Sequence, residues 1–358
     1  MKIMTVVGAR PQFIKAAVVS REFRGESCIQ EVLVHTGQHY DYNMSEVFFK
    51  ELDIPDPAYN LNISGGSHAQ MTGRMLMALE EVFLAEKPDK LLVYGDTNST
   101  LAAALTAVKL HVPVCHVEAG NRLGSLDNPE EVNRICTDHV SSVLMPCTES
   151  ALAFLEREGM VARSHLVGDP MYDAFLYYGS RLTEENRNAL VGLDGEKVKR
   201  PEKFYYLTCH RQENTDTDEK LEEILKAMNS LEYPTVYPVH PRNRERALRV
   251  CGAGSFSNII LTQPVGYLTS ISLVNGAEKI VTDSGGLQRE AFFAEKQCVT
   301  VFDLIVWPET MVANRNQLSK PEHGEILRKL AAKQTIDPAY KPFGDGRSAA
   351  KIVKILKN

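Results

Sequence analysis

Two rhythms of apolar residues alternate along the chain. Short continuous apolar runs at residues 3–7, 31–35, 91–94, 114–117 and 143–145 predict buried strands, and a second series predicts strands at 204–208, 235–238, 258–261, 279–282 and 298–301. Between them, helices are predicted over 11–23, about 99–109, 129–140 and about 149–158. Met71, Met75, Leu76, Leu79, Val82 and Phe83 recur at three-and-four spacing and mark a further helix that ends before Lys87 and Pro88. Ile352, Val353, Ile355 and Leu356 make the closing segment an amphipathic helix over about 346–357. Continuous apolar strands alternating with helices predict an α/β fold with a parallel sheet covered on both faces. Between Gly168 and Pro201 the pattern loosens into the polar stretch 183–200, TEENRNALVGLDGEKVKR, which reads as a linker region. A chain of 358 residues exceeds the usual single α/β domain. The expected architecture is two doubly wound, Rossmann-like domains, residues 1–170 and 171–358, facing each other across a cleft, with the last helix packing back towards the first.

The stretch from Leu91 to Arg134 carries the densest chemistry. Its two strands each stop at a carboxylate beside a glycine, Asp96 after the first and Glu118 at the end of the second, and Glu131 follows a loop. Ligands of parallel α/β sheets bind outside the carboxyl ends of the strands, so these acids should project into one crevice. Neighbouring carboxylates can be driven to different pKa values by one another and by burial, which lets proton abstraction and donation coexist near neutral pH. Glu131 has a competing explanation, because Asn128-Pro129-Glu130-Glu131 fits a helix N-cap with a reciprocal capping glutamate. Glu118 is harder to dismiss, since a carboxylate closing an apolar strand is costly to bury unless partnered or used.

Charge then localises the anion chemistry. A net charge of −6 argues against general nucleic-acid binding, so any phosphate site must be local. GARPQFIK, residues 8–15, sits in the first strand-to-helix turn but holds only Gly8 of a GxGxxG fingerprint, which weakens a nicotinamide reading. Arg10 and Lys15 there suit a phosphate at a helix start, or else form a solvated charge pair. TDSGGLQREA, residues 282–291, ends a buried strand with Ser284 and the pair Gly285–Gly286, through which backbone N–H groups can approach a ligand, and Glu290 follows one turn on. Equally, it is a tight turn with Asp283 or Ser284 as a helix cap. TCHRQEN (208–214) and VHPRNR (239–244) place His210, His240, Arg242 and Arg244 at adjacent strand ends, a lining for an anionic ligand, although a lone histidine is more often structural.

His35, His39, His68 and His116 lack compact ligand spacing, so no metal is expected, and GxSxG is absent. Seven cysteines without a CxxC pair fit reduced thiols. MKIMTVVGARP reads as a strand rather than a signal peptide, and no run approaches the roughly 18–20 apolar residues of a membrane span. A cytoplasmic protein with no membrane partner is expected.

Taken together, GARPQFIK, HTGQHYD, QMTGRM, VYGDTNST, HVEAGNR, PEEVNR with Asp138 after it, TCHRQEN, VHP, TDSGGLQREA, WPE and the late GDG resemble, in order and spacing, the non-hydrolysing UDP-N-acetylglucosamine 2-epimerases. The resemblance implies the glycosyltransferase-B architecture and interconversion of UDP-GlcNAc and UDP-ManNAc for surface polysaccharide. The implied route eliminates UDP to a 2-acetamidoglucal and adds it back, with no cofactor. Carried over by motif, Asp96, Glu118, Glu131 and His210 form the acid/base set. Arg10, Lys15, His240, Ser284, Gly285, Gly286 and Glu290 hold UDP. Gln38, Gln70, Arg74 and Arg211 match motifs around a second, regulatory UDP-GlcNAc position, and a homodimer is implied.

The chain also departs from the pattern. Phe302, Ile305 and Val306 stand at usually polar positions, and Leu123 and Asn128 where serine and methionine are frequent. GARPQF is typical of a branch that includes epimerases of UDP-2,3-diacetamido-2,3-dideoxyglucuronic acid. The other readings are a retaining glycosyltransferase, a hydrolysing epimerase and a non-catalytic UDP-sugar sensor.

Overall fold

The structure, a computed structural model, describes residues 1–38, 48–253 and 256–358. The chain divides into two compact units, Met1–Leu176 with Lys341–Asn358, and Tyr177–Tyr340. The division falls six residues beyond the boundary read at residue 170.

In the first unit six strands, β1 (Lys2–Val7), β2 (Gln30–His35), β3 (Tyr59–Asn60), β4 (Lys90–Tyr94), β5 (Val114–Val117) and β6 (Val143–Met145), form one sheet in the order β3-β2-β1-β4-β5-β6. Every pairing is parallel. The strand order reverses between β1 and β4, and ligands of such sheets collect at the carboxyl ends around that point. Four helices carry or brace the candidate residues of this unit: α1 (Arg10–Arg24), α2 (His68–Glu86), α3 (Asn98–Lys109) and α4 (Pro129–Val140). Met75, Leu79, Val82 and Phe83 of α2 are buried with the alanines of α3 in one core. The small side chains of α3 let it lie close against both α2 and the sheet.

The second unit repeats the plan. Strands β7 (Tyr205–Thr208), β8 (Thr235–Pro238), β9 (Ile259–Thr262), β10 (Lys279–Thr282), β11 (Gln297–Val301) and β12 (Asn316–Ser319) are ordered β12-β11-β10-β7-β8-β9 and pair in parallel throughout. Its switch point lies between β7 and β10, whose last residues are tied by Thr208 Oγ1 and Thr282 Oγ1 at 2.6 Å. Helix α5 (Gly285–Phe293) starts directly from the β10 turn.

The stretch read as a linker is folded onto the second unit. Leu190 and Leu193 are buried, Gly192 N donates to Glu196 O at 2.8 Å, and Gln263 N donates to Val191 O at 2.7 Å beside β9. Its two buried leucines and these backbone bonds anchor it. The last helix, α6 (Ser348–Leu356), belongs to the first unit and packs against α1, with Ile352 and Leu356 wholly buried. No helix among the described residues is long and apolar enough to cross a membrane.

Candidate active site

In the first unit the three acids lie together, already compensated by cations. Glu118 follows β5 with a left-handed backbone, φ 69°, and its buried carboxylate is ion-paired to the buried Lys15 of α1. A non-glycine residue held there is a strained position that the surrounding structure must enforce. A Cβ on Gly95 would lie 3.6 Å from Lys15 Nζ and 3.9 Å from Glu118 Oε1, so the turn carrying Asp96 abuts this pair. Arg134 of α4 is ion-paired to Asp96 through Nη2 and to Glu131 through Nη1. Burial pushes the Arg134 guanidinium down, but the charges of Asp96, Glu131 and Glu118 outweigh it and hold the group above its ordinary value.

The local explanation for Glu131 fails in part. Asn128 does cap α4, accepting from Glu130 N at 2.9 Å and Glu131 N at 3.3 Å. The Glu131 side chain, however, turns away from the cap. Its Oε1 accepts from Leu123 N at 2.8 Å and Gly124 N at 3.0 Å, so it fixes the loop before α4 while Oε2 meets Arg134.

Behind the acids sits a buried support that the motifs did not disclose. His116, wholly buried on β5, contacts Asp138 Oδ1 through Nδ1 at 2.7 Å and Gly95 O through Nε2 at 2.6 Å. Asp138 Oδ2 accepts from Gly120 N at 3.0 Å and Arg122 Nη1 at 2.7 Å. Burial alone would raise the Asp138 carboxyl, yet His116 and Arg122 bring it below the usual range. One network thus ties the turns after β4 and β5. Gln12 does the same for the GARPQF loop. Its Oε1 accepts from Gly8 N at 2.8 Å and Ala9 N at 3.0 Å, while Nε2 donates to Tyr94 O at 2.8 Å.

Arg10 opens α1 with its guanidinium 4.4 Å over the Phe48 ring. Lys15, read as a phosphate cation, is ion-paired to Glu118 inside the unit. Gln38 Oε1 accepts from Ser99 N at 3.1 Å and Ser99 Oγ at 2.7 Å at the start of α3. Gln70 completes a capping box with Ser67, and Arg74 of the same helix donates to Ser64 O at 3.0 Å. His39 lies outside the described residues. Glu118, Cys147 and Asp169 bring ligand-type atoms within 4.8 Å of one another, but Lys15 already supplies a cation to that cluster.

In the second unit the residues cluster at the β7, β8 and β10 ends. Ser284 caps α5, accepting from Leu287 N at 3.4 Å, so the turn through Gly285 and Gly286 presents a helix start. Glu290 lies buried one turn further along. His240 accepts from Arg242 N through Nδ1 at 3.3 Å, and its ring lies 6.1 Å from that of His210. Arg211 stacks over Phe302 at 3.9 Å and donates from Nε to Asp283 O at 2.7 Å, so the apolar Phe302 serves as its platform. Asp283, considered only as a helix cap, is buried and contacts His210 Nδ1 at 2.9 Å through Oδ1.

Comparisons with known proteins identify the family. A family model for UDP-N-acetylglucosamine 2-epimerase matches residues 21–357. A Methanococcus maripaludis protein described as a UDP-N-acetylglucosamine 2-epimerase homolog is 45% identical over 362 residues, 100% of both chains. The UDP-2,3-diacetamido-2,3-dideoxy-D-glucuronate 2-epimerase of Pseudomonas aeruginosa is 44% identical over 99% of each chain. The solved structure of Methanocaldococcus jannaschii UDP-GlcNAc 2-epimerase in complex with UDP-GlcNAc and UDP is 37% identical, with a TM-score of 0.88 over 100% of this chain and 99% of that one. With a match of this extent over two six-stranded parallel sheets, the chain belongs to the UDP-N-acetylglucosamine 2-epimerase family.

Proposed function

We propose that the protein interconverts UDP-GlcNAc and UDP-ManNAc by elimination and re-addition of UDP, supplying an activated sugar for surface polysaccharide. The observation that carries this is the cluster of the half-buried Asp96 after β4, the buried Glu118 after β5 and the buried Glu131 of α4, held by Lys15 and Arg134 in a chain of this family. A carboxylate of the set takes the C2 proton, the C1–O bond breaks and UDP leaves with the electron pair, giving the 2-acetamidoglucal. Return of a proton to the opposite face of C2 and attack of the UDP oxygen on C1 complete the inversion. The route calls for no hydride acceptor.

Asp96, Glu118, Glu131 and His210 are assigned to proton transfer, and Arg10, His240, Ser284, Gly285, Gly286 and Glu290 to UDP. The start of α5 stabilises the departing diphosphate. Lys15 is the ion-pair partner of the Glu118 carboxylate inside the unit. Gln38, Gln70, Arg74 and Arg211 are assigned to a regulatory UDP-sugar position. A cytoplasmic homodimer completes the reading.

The test is proton NMR of the protein with UDP-GlcNAc in D₂O without added cofactor. Loss of the C2 signal and growth of a manno-configured product support the proposal; UDP binding without either change overturns it. Asp96→Asn and Glu118→Gln should abolish turnover while leaving UDP binding within about tenfold.

A second reading places a 2,3-diacetamido uronic acid on the UDP. It is favoured by Phe302, Ile305 and Val306 at usually polar positions and by the relative at 44% identity that acts on such a sugar. Turnover of that analogue well above UDP-GlcNAc would select it.

A further inference from the structure

We infer that Asp283 is the positioning residue for His210, fixing the ring so that Nδ1 carries a proton and Nε2 is the atom that works. This deepens the functional proposal and rests on its assignment of His210 to proton transfer.

Each Asp283 oxygen has its own task. β7 and β10 are neighbours at the sheet's switch point, so the residues after their last threonines face each other. Oδ2 is taken by two backbone donors, His210 N at 2.8 Å and Arg211 N at 2.7 Å, with Asn214 Nδ2 at 3.4 Å. Those bonds lock the carboxylate plane and leave the buried Oδ1, which has no aligned hydrogen-bond donor, facing the imidazole in an ion-pair contact 2.9 Å from Nδ1. Arg211 Nε adds a third tie through Asp283 O.

Protonation states are set by the same bonds. Burial alone would raise the Asp283 carboxyl, but His210 and the backbone donors bring it down to about 2. An ionised carboxylate only accepts, so Nδ1 must donate. Nε2 meets no partner among the described residues, and the His210 side chain is 39% exposed. The other groups facing the pair are the buried Cys209 thiol, raised by burial and by Asp283, the guanidinium of Arg242, whose Nη2 donates to His210 O at 3.0 Å, and the ring of His240. None of these competes for Nδ1. A helix cap would not explain the geometry, because Ser284 fills that place.

Asp283→Asn isolates the effect. The asparagine carbonyl can keep both backbone donors, which turns its NH₂ towards the imidazole. Nδ1 must then accept and the proton moves to Nε2, the opposite tautomer. The experiment uses the full ¹⁵N-histidine-labelled protein, with His210 assigned by its loss in His210→Asn, at a pH where the ring is neutral. Two-bond ¹H–¹⁵N correlations should show Nδ1–H in the wild type and Nε2–H in Asp283→Asn. An Nε2–H tautomer in the wild type overturns the inference without recourse to any variant. In turnover of UDP-GlcNAc, Asp283→Asn should lower kcat by on the order of 10²-fold with KM within about threefold. In a His210→Asn background it should cost nothing further. A kcat within about threefold of wild type also overturns the inference. A wild type with no turnover refutes the functional proposal instead, and the NMR tautomer still decides the pairing.

Discussion

Arg134 grips Asp96 while holding Glu131 one turn back on its own helix, so two of the acids assigned to proton transfer share one planar cation. A guanidinium can serve two carboxylates at once; an ammonium is a point charge suited to one. Arg134→Gln should lower kcat by at least 10²-fold and destabilise the protein by about 3–5 kcal/mol, because it leaves buried charge uncompensated. Arg134→Lys should recover most of the stability and little of the rate. Equal recovery of both, read by thermal melting and steady-state kinetics, would refute a geometric role.

Gly120, beside Glu118, has φ 85°, and a Cβ there would lie 2.4 Å from Ala151 O and 2.8 Å from Leu155 Cγ. The backbone oxygen cannot retreat without pulling on the following helix. Gly120→Ala should therefore cost more than about 2 kcal/mol, combining left-handed strain with overpacking. An unchanged urea midpoint would contradict the close approach.

The buried ring of His116 faces an acceptor at each nitrogen, a carboxylate on one side and Gly95 O on the other. The ring thus bridges Asp138 and the turn after β4. His116→Leu should destabilise by about 2–4 kcal/mol, since the buried Asp138 carboxylate and Gly95 O each lose a hydrogen-bond partner. Activity should fall further than stability accounts for, because the turn bearing Asp96 loses its anchor. Kinetics at a temperature where the variant is fully folded by circular dichroism would reveal a purely structural effect as unchanged kcat.

The depressed Asp283 carboxyl makes a statement about acid stability. Its folded value is about 2 against an ordinary 3.8. Its contribution, on the order of 2 kcal/mol, is fully present above about pH 4 and is lost as pH falls through about 2. Asp283→Asn should therefore be less stable than wild type at about pH 5 and should lose stability less steeply below about pH 4. Parallel slopes of urea midpoint against pH in the two proteins would count against the charged pair.

The central strands were legible because strands buried on both faces are continuously apolar, and β4, β5, β7 and β10 fall within a residue of their expected limits. The edge strands β3 and β12 were not. Tyr59–Asn60 is two residues long, and Asn316-Gln317-Leu318-Ser319 has no apolar run, since an edge strand needs little burial to pair. At the site, residue identity was readable and partnership was not. Asn128-Pro129-Glu130-Glu131 satisfies a local capping rule, whereas the Glu131 side chain is decided by Leu123, Gly124 and Arg134. Asp283 looked like a cap for the helix beside it, but its partner is 73 positions away. Local pattern reports what a residue can do for its own helix; only the sheet order brings β7 to β10.

The closing residues Lys341–Asn358 complete the first unit, with Lys90 Nζ bonded to Leu356 O at 2.6 Å and α6 against α1. Synthesis runs from the amino end, so on the ribosome the order of completion inverts the order of emergence. The later-made unit, Tyr177–Tyr340, has all its strands before the earlier one receives its last helix. Through that interval α1 keeps an apolar face uncovered, which is when a chaperone would find this chain.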